Sequence, residues 1–350
     1  MKLSKDIIYG IIISILIILL IIGYNINKKN SYSKRNEISN LNLQIKVKNK
    51  QLANIQKKFL NSKSNINDFI NEDYIKFSKV FENKKLENIN NFELSKYKTE
   101  DVLFGGNYRA LASAYIDFYN DDTRLILVTS DGIFATSDLN NLDKFNKIKS
   151  NFLEFVNYEK FHTHTQYGVK DILVNDNDIY VSIISELDKN CYNFRLLKSK
   201  INQKKLTFKI FYEIPKCVKE DNDHQYYAGQ GAGGRMYIRN NSILLTTGEF
   251  RNRPLAQNKK SFYGKILEIN LDSKKAEVVS FGHRNAQGLY YSKRYDFVIS
   301  TEHGPKGGDE ININHKPFNI IKNFGWPISS YGEHYYKNHP DKILKEAPLN

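Results

Sequence analysis

From about residue 105 onward, apolar and polar residues alternate with a period of two, which is the pattern of half-buried β-strands. One strand type recurs: an apolar run that closes on Ser or Thr and then on an acid or Gly. Its four copies lie at residues 125–132, 179–186, 243–249 and 297–304. Each copy follows another strand and a polar turn, and one or two further strands come after it. The pattern predicts an all-β domain over residues 105–350.

A repeated unit of roughly 50 residues with four antiparallel strands is typical of a propeller blade. One such sheet cannot bury both faces, so blades pack around an axis and each face is covered by a neighbour. The innermost strands line a central channel, and their loops form a mouth where ligands bind. We count about four blades before residue 330. Because a closed propeller normally has more, we expect either an incomplete chain at Asn350 or an unusual closure.

Residues 7–24 are apolar and carry no charge. A helix of about 20 such residues spans a bilayer. No small-residue cleavage site follows, so residues 1–27 are predicted to be an uncleaved signal anchor in the membrane. Lys2 and Lys5 precede the span and more basic residues follow it. That charge distribution favours a cytoplasmic C-terminal side, whereas the cysteines discussed below favour the opposite side.

Residues 28–104 are predicted to form a helical stalk and linker. Apolar positions alternate spacings of three and four, with one Lys among them. These positions are Ile38, Leu41, Ile45, Lys48, Leu52, Ile55 and Phe59. Two interpretations stay open: a solvated helix that packs on its own domain, or a short coiled coil that joins two chains in a homodimer.

The two cysteines, Cys191 and Cys217, lie in strands on either side of a turn near residue 203. Folding about that turn sets Leu197 opposite Phe211, Arg195 opposite Glu213, and Cys191 opposite Cys217. Opposed strand residues are close enough for a disulfide; the alternative is a pair of buried free thiols. A disulfide indicates an oxidising compartment, so the domain is expected in the periplasm or outside the cell.

The composition narrows the function classes. A hydrophobic content of 41% is enough for a buried core, and the net charge is +14. Much of the positive excess lies in residues 28–58, directly after the apolar span, so we do not expect a nucleic-acid partner. The GQGAGG run at 229–234 lacks the preceding strand and following helix of a dinucleotide-binding loop. A nucleophile elbow and a phosphate-binding P-loop are also absent from the sequence.

Charged residues, amides and glycines are concentrated in two runs that flank a short hairpin, GHRNAQGL at 282–289 and EHGPKGGDE at 302–310. Arg284 offers a fork of donors, and Asn285 and Gln287 add amide groups. Glycines in the second run would let main-chain carbonyls approach a hard cation such as calcium. Residue types alone leave an alternative, in which Arg284 and Asp309 form a buried ion pair that joins two loops.

Together with NFGWP at 323–327, these runs resemble the glucose/sorbosone dehydrogenase family, which includes soluble aldose sugar dehydrogenases that use pyrroloquinoline quinone (PQQ). The resemblance covers roughly residues 105–335. It implies a six-bladed propeller with PQQ across the mouth and calcium beneath it. The residues it assigns to PQQ are Arg284, Asn285, Gln287, His303 and Asp309. It assigns calcium to the main-chain carbonyls of Gly304 and Pro305.

The resemblance also implies a histidine that takes the proton of the anomeric hydroxyl. In the family this histidine lies just ahead of a Gly-Arg pair, matched here by Gly234–Arg235, but this chain has Gly231 and Ala232 at the near positions. The nearest histidine is His224, displaced by a seven-residue insertion. We therefore predict His224 as the catalytic base.

The expected function is that of a membrane-anchored, PQQ-dependent aldose sugar dehydrogenase, which oxidises a sugar at its anomeric carbon and passes electrons to an external acceptor. The alternative is a non-catalytic propeller that binds a sugar or a protein outside the cytoplasm. A structural role through the stalk is a third hypothesis.

Overall fold

The computed structural model describes part of the chain in a form that can be interpreted residue by residue. The described residues are 74–85, 93–99, 114–119, 121–129, 132–156, 168–220, 229–315, 318, 320–332 and 345–346. The predicted span at 7–24, the heptad pattern at 38–59 and His224 lie outside them. Within the described residues, no helix is both long enough and apolar enough to cross a membrane.

The described chain is built almost entirely of β-strands. The strands that precede residue 151 are β1 (Tyr74–Lys85), β2 (Glu93–Thr99), β3 (Ala114–Tyr119), β4 (Arg124–Thr129), β5 (Phe134–Asp138) and β6 (Lys144–Ser150). Next come β7 (Gly168–Asn175), β8 (Asp178–Asp188), β9 (Cys191–Lys200), β10 (Lys205–Leu206), β11 (Lys209–Glu213) and β12 (Val218–Lys219).

The second half of the domain continues the strand pattern. It contains β13 (Gly233–Arg239), β14 (Ser242–Thr247), β15 (Lys265–Asn270), β16 (Ala276–Phe281), β17 (Ala286–Ser292), β18 (Phe297–Glu302) and β19 (Glu310–His315). Short strands follow: β20 (Lys322–Asn323), β21 (Ser329–Ser330) and β22 (Lys345–Glu346). The helical turns are Phe152–Phe155 and Gly229–Gly231, both 3₁₀, and α1 (Pro254–Gln257).

Within the described residues, the longer strands form successive antiparallel sheets in chain order, and the short strands β10 and β20 join β6 and β16 in parallel. The first sheet has the order β2-β1-β6-β5-β4-β3, and the second has the order β11-β9-β8-β7. The third is β13-β14-β15-β16, extended by β20, and the fourth is β17-β18-β19. The four recurring apolar runs are β4, β8, β14 and β18, each the second strand from the inner edge. The prediction of a repeated antiparallel unit is confirmed.

The inner edges of the sheets meet one another. β3 contacts β7, β7 contacts β13, and β13 contacts β17. The sheets therefore radiate from a common line in a propeller-like arrangement, as the sequence predicts. The number of blades in a closed ring stays a prediction.

Acidic side chains connect neighbouring inner strands. The Asp117 carboxylate on β3 accepts a hydrogen bond from the main-chain nitrogen of Val174 on β7 at 2.6 Å. One sheet further on, Asp171 of β7 accepts from the main-chain nitrogen of Met236 on β13 at 2.7 Å. Asp171 also pairs with the Arg235 guanidinium at 2.7 Å. The two main-chain bonds satisfy donors on β7 and β13, which are edge strands of their sheets.

The hairpin of β9 and β11 corrects part of the predicted register. Arg195 lies opposite Glu213, as predicted. Leu197 lies opposite Ile210 rather than Phe211, because a bulge after Ile210 adds one residue to β11. A period-two pattern fixes the faces of a strand but cannot locate such a bulge.

The disulfide between Cys191 and Cys217 is present, with Cα atoms 5.3 Å apart. The predicted bond is confirmed, although the register around it differs. Cys191 lies opposite Lys219 of β12, not opposite Cys217. The chain leaves the sheet after β11 and returns as β12, so Cys217 reaches Cys191 from the turn between these two strands.

Strands occupy part of the range predicted as helical stalk and linker. β1 and β2 form an antiparallel hairpin, and β1 pairs with β6 through Ile75 and Phe145. Ile75 is buried, and the ring centroids of Phe77 and Phe145 are 4.7 Å apart. Ile75 and Phe77 are two residues apart and share one face of the strand, a short alternation that the surrounding lysines and asparagines concealed in the sequence.

Candidate functional site

The predicted polar runs meet at one cavity of about 380 Å³ at the end of the inner strands where β13 and β17 begin. Its lining residues are Gly231, Glu249, Arg251, Arg284, Asn285, Gln287, His303, Gly304 and Asp309. They come from the turn before β13, the loop after β14, the entry to β17 and the loop after β18. All five residues that the family pattern assigns to PQQ therefore line the same space.

Arg284 connects the three sequence runs. Its Nη1 donates a hydrogen bond to the main-chain oxygen of His303 at 2.8 Å. Its guanidinium carbon lies 5.3 Å from the ring centroid of Trp326, in the third run, and that of Arg253 lies 5.5 Å from the same ring. Trp326 is buried, so these cation–π contacts hold two positive charges beside the cavity.

A buried network fixes the loop that carries Arg284. The Glu302 carboxylate accepts hydrogen bonds from the main-chain nitrogens of Arg284 and Asn285, the latter at 3.1 Å. His283 Nδ1 lies 2.9 Å from Glu302, and His283 Nε2 lies 2.8 Å from Ser280 Oγ. The residue types resemble a Ser-His-acid triad. All three side chains are buried, however, and the network positions the loop instead of meeting a substrate.

The Asn285 side chain is used within the protein. Its Oδ1 accepts a hydrogen bond from the main-chain nitrogen of Gly233 at 2.9 Å, which joins the β17 entry to β13. Gly233 has a φ of 69°, a left-handed conformation that suits glycine. Thr246 extends this link by donating to the main-chain oxygen of Ala286 at 2.8 Å. The amide of Asn285 therefore orients the cavity wall, whereas Gln287 is exposed to the cavity.

The loop after β18 is compact. Asp309 Oδ1 accepts a hydrogen bond from the main-chain nitrogen of Gly304 at 3.0 Å, and Gly308 donates to the main-chain oxygen of Pro305 at 2.8 Å. A Cβ on Gly304 would collide with the carbonyl of Gly308, so this position requires glycine. His303 Nδ1 lies 3.7 Å from Asp309.

The structure contradicts a buried ion pair between Arg284 and Asp309. The Asp309 side chain is 73% exposed, and its Oδ2 lies 3.7 Å from Nδ1 of His303. Arg284 donates to a main-chain carbonyl instead. This exposure leaves the Asp309 carboxylate accessible to a ligand in the cavity.

The predicted calcium ligands are main-chain oxygens of this loop, and the Pro305 oxygen already accepts one hydrogen bond. A carbonyl oxygen has a second lone pair, so that bond is compatible with a cation. Among the described residues, no group of three or more His, Cys, Asp or Glu side chains is placed to hold a metal ion. Calcium at Gly304 and Pro305 stays a prediction.

Two lining residues, Glu249 and Arg251, were missed by the sequence interpretation. Glu249 is 3% exposed, and its Oε2 has no hydrogen-bond partner within the described part of the chain. Burial raises the pKa of Glu249 to about 7, while Arg284, Arg253 and Arg251 lower it in part. The run TTGEFRNRP held the signal, because it places an acid and two arginines directly after a buried strand.

The loop after Glu249 is held by buried contacts. Phe250 and Arg251 have φ values of 53° and 64°, which are uncommon for residues with side chains and cluster at functional sites. Beneath this loop, Lys265 Nζ donates to the main-chain oxygens of Leu255 at 2.8 Å, Ala256 at 2.9 Å and Tyr263 at 2.7 Å. The fully buried lysine thereby fixes α1 beside the cavity.

The positions matched to the family's histidine also reach the site. Gly231 lines the cavity, and Ala232 is buried next to it. Neither can transfer a proton. His224 lies outside the described residues, and its role stays a prediction.

Fold and site together define a class: an all-β, propeller-like protein whose loops form a cavity lined by arginine, carboxyl and amide side chains at one end of its inner strands. The family model described as Glucose / Sorbosone dehydrogenase matches residues 119–348. The chain belongs to the glucose/sorbosone dehydrogenase family.

Relatives of known sequence match shorter segments. The chain is 34% identical over 140 residues to the aldose sugar dehydrogenase YliI of Escherichia coli, covering 36% of this chain and 34% of that protein. It is 37% identical over 136 residues to an uncharacterized protein of Synechocystis, covering 32% of each. The matched part thus spans about a third of the length of these curated relatives.

Solved structures resemble the chain over a larger part. A glucose dehydrogenase crystal structure has a TM-score of 0.54 and 22% identity, covering 67% of this chain and 69% of that one. The apo-form of the soluble aldose sugar dehydrogenase from Escherichia coli has a TM-score of 0.51 and 21% identity, covering 66% and 70%. At these identities the likeness establishes a shared fold.

Proposed function

We propose that this protein oxidises an aldose at the anomeric carbon with PQQ as its cofactor and passes the electrons to an external acceptor. One observation carries the proposal: two sequence runs of the family line a single cavity, and Arg284 in that cavity also contacts Trp326 of the third run. Membership of the glucose/sorbosone dehydrogenase family supports the same reaction class.

The donor set of the cavity fits an anionic, planar quinone. PQQ carries carboxylates and, when bound, would supply the two-electron oxidant. We assign its binding to Arg284, Asn285, Gln287, His303 and Asp309. Arg284 offers a guanidinium held by His303 and Trp326, so little side-chain freedom is lost on binding an anion. Asn285 contributes mainly by keeping the loop in place, since its Oδ1 already binds Gly233.

Calcium and the catalytic base complete the proposal. The main-chain oxygens of Gly304 and Pro305 are the proposed calcium ligands. Family resemblance assigns the proton acceptor to His224, because a histidine can accept a proton near neutral pH, and this assignment is tested against Glu249 below.

The proposed setting is outside the cytoplasm. The Cys191–Cys217 disulfide supports this, because such bonds persist in oxidising compartments. We further propose anchoring through residues 1–27 and pairing of two chains through the stalk. Replacement of Ile45 and Leu52 by Asp tests the pairing: dimers should dissociate in sedimentation experiments, and dimers that persist would contradict it.

One observation favours a non-catalytic alternative, a propeller that binds a sugar or a protein. Gly231 and Ala232 stand where family members have a base, and neither can accept a proton. This alternative predicts sugar or protein binding without turnover.

The deciding experiment is reconstitution of the full chain with PQQ and calcium, followed by dye reduction with a panel of aldoses. We expect PQQ binding in calorimetry and turnover with at least one sugar. Arg284→Ala should abolish both, whereas Arg294→Ala, on the turn between β17 and β18, should change neither. Absence of PQQ binding together with absence of turnover would rule out the enzyme.

A further inference from the structure

The cavity contains a carboxylate that the family pattern leaves without an assigned role. Glu249 lines the cavity and is 3% exposed. Its Oε2 is buried and has no hydrogen-bond partner among the described residues. Buried polar atoms are almost always paired, so an unpaired oxygen that lines a cavity is open to a partner that a ligand supplies.

The position of Glu249 is fixed by the loop that carries Arg284. The main-chain nitrogen of Glu249 donates to the main-chain oxygen of Arg284 at 3.2 Å, and Asn252 donates to the oxygen of Glu249 at 2.7 Å. The next residue, Phe250, is fully buried against Phe194 and Tyr263. A carboxylate held in this way needs little reorganisation to meet a ligand.

The charged groups around Glu249 shift its pKa in opposite directions. Arg284, Arg253 and Arg251 are the cations that act on its carboxyl group, and Glu302 is the anion. Burial outweighs the three cations and raises the pKa of Glu249 to about 7. A carboxyl group with a pKa near the working pH is suited to general acid–base exchange.

We propose that Glu249, in place of His224, is the proton acceptor of sugar oxidation in this site, an inference that rests on the proposed sugar oxidation and revises only its base. Oε2 accepts a hydrogen bond from the anomeric hydroxyl of the sugar. The O–H bond then breaks and its proton passes to Oε2. The C1–H bond would break with its electron pair passing as hydride to the ortho-quinone that the cavity is proposed to hold, and C1 would become the carbonyl of a lactone. Glu249 returns the proton to water.

The first test uses the cofactor-free full chain and does not depend on activity. Infrared difference spectra recorded across pH should contain the band of a protonated carboxyl group that disappears as pH rises through about 7. The band should be absent from Glu249→Gln and present in Glu277→Gln, an exposed control on β16. A spectrum of the Glu249→Gln protein identical to that of the wild type would overturn the proposal.

The second test separates Glu249 from His224 in the reconstituted protein. Glu249→Gln should lower kcat by about 10²–10⁴-fold, the usual range for loss of a general base, while PQQ still binds. His224→Gln should lower kcat by less than about tenfold. Equal or greater loss in His224→Gln overturns the proposal, as does a Glu249→Gln protein with kcat within about tenfold of the wild type.

Folding and cofactor binding are controlled separately. If Glu249→Gln does not fold, Glu249→Asp replaces it, with the carboxyl withdrawn by one methylene. It should keep the titrating infrared band and lose kcat by at least about tenfold, and unchanged kcat would overturn the proposal. Should the wild type neither bind PQQ nor oxidise any sugar, the proposed function fails instead, whatever the infrared titration gives.

Discussion

Glu302 and Asn285 are joined by a hydrogen bond of 3.1 Å from the main-chain nitrogen of Asn285 to the Glu302 carboxylate. The same carboxylate accepts from the main chain of Arg284 and contacts buried His283. The last residue of β18 therefore sets the path of the chain that enters β17. The two runs read from the sequence form one unit through this carboxylate.

Glu302→Gln should weaken PQQ binding by about tenfold or more, because an amide cannot accept from both main-chain donors and His283 as well as a carboxylate does. Calorimetry of PQQ binding measures the effect. Glu277→Gln, an exposed acid on β16, is the matched control and should bind as the wild type does. Equal affinity in both variants would show that Glu302 does not position the loop.

The disulfide should contribute substantially to stability. Cys191 and Cys217 are 26 residues apart, and closing a loop of that size is expected to stabilise the folded state by about 3–4 kcal/mol. Urea unfolding of the wild type should shift by that amount on reduction, whereas Cys191→Ser/Cys217→Ser should not respond to reductant. A wild type that also fails to respond would contradict the expectation.

Asp171 should be the most sensitive acid of the inner strands. Its carboxylate is nearly buried, accepts a hydrogen bond from the main-chain nitrogen of Met236 and pairs with the Arg235 guanidinium. Asp171→Ala leaves the main-chain nitrogen of Met236 without this acceptor and removes one partner of the Arg235 guanidinium, so the free energy of unfolding should fall by about 2 kcal/mol or more. Asp171→Asn keeps one acceptor oxygen and should lose roughly half as much. Asp188→Ala, an exposed control, should stay within about 0.5 kcal/mol of the wild type.

The strand repeat was predictable because β4, β8 and β14 are apolar runs buried on both faces, where few polar residues interrupt the pattern. β18 is buried mainly on one face but has a similar ending. The bulge after Ile210 was not predictable, since alternation shows which face a residue occupies but not whether a strand contains an extra residue. The β1–β2 hairpin was not predictable either, because the apolar alternation on its inward face covers only Ile75 and Phe77. Local pattern thus determines the units, and the pairing details depend on tertiary contacts.

The site was predictable in part for a similar reason. Arg284 and His303 lie in runs with a distinctive residue order, so a family pattern identifies them. Glu249 has no such context: it follows an ordinary strand, and its unpaired oxygen emerges only when β14 and the Arg284 loop meet. Conversely, Asn285 fits the pattern of a ligand contact, but its Oδ1 is bound to Gly233.

Glu249 should make the free energy of unfolding fall as pH rises, and a variant with a neutral residue at this position should lack that dependence. Its pKa is about 7 in the folded protein and 4.5 as the ordinary value. Between these values the unfolded chain releases the proton and the folded protein keeps it, so the free energy of unfolding falls as pH rises from 4.5 to 7. Glu249→Gln removes this loss, worth about 3 kcal/mol.

Relative to the wild type, Glu249→Gln should therefore gain stability between pH 4.5 and pH 8, measured by urea unfolding at constant ionic strength. Other acids with raised pKa values do not affect this comparison. Burial raises the pKa of Asp171 to about 6, but this group is common to both proteins and cancels in the difference. A constant difference across this range would mean that Glu249 is ionised in the folded protein throughout. The three surrounding arginines would then outweigh burial, and the carboxylate would be a fixed anion instead of an exchangeable one.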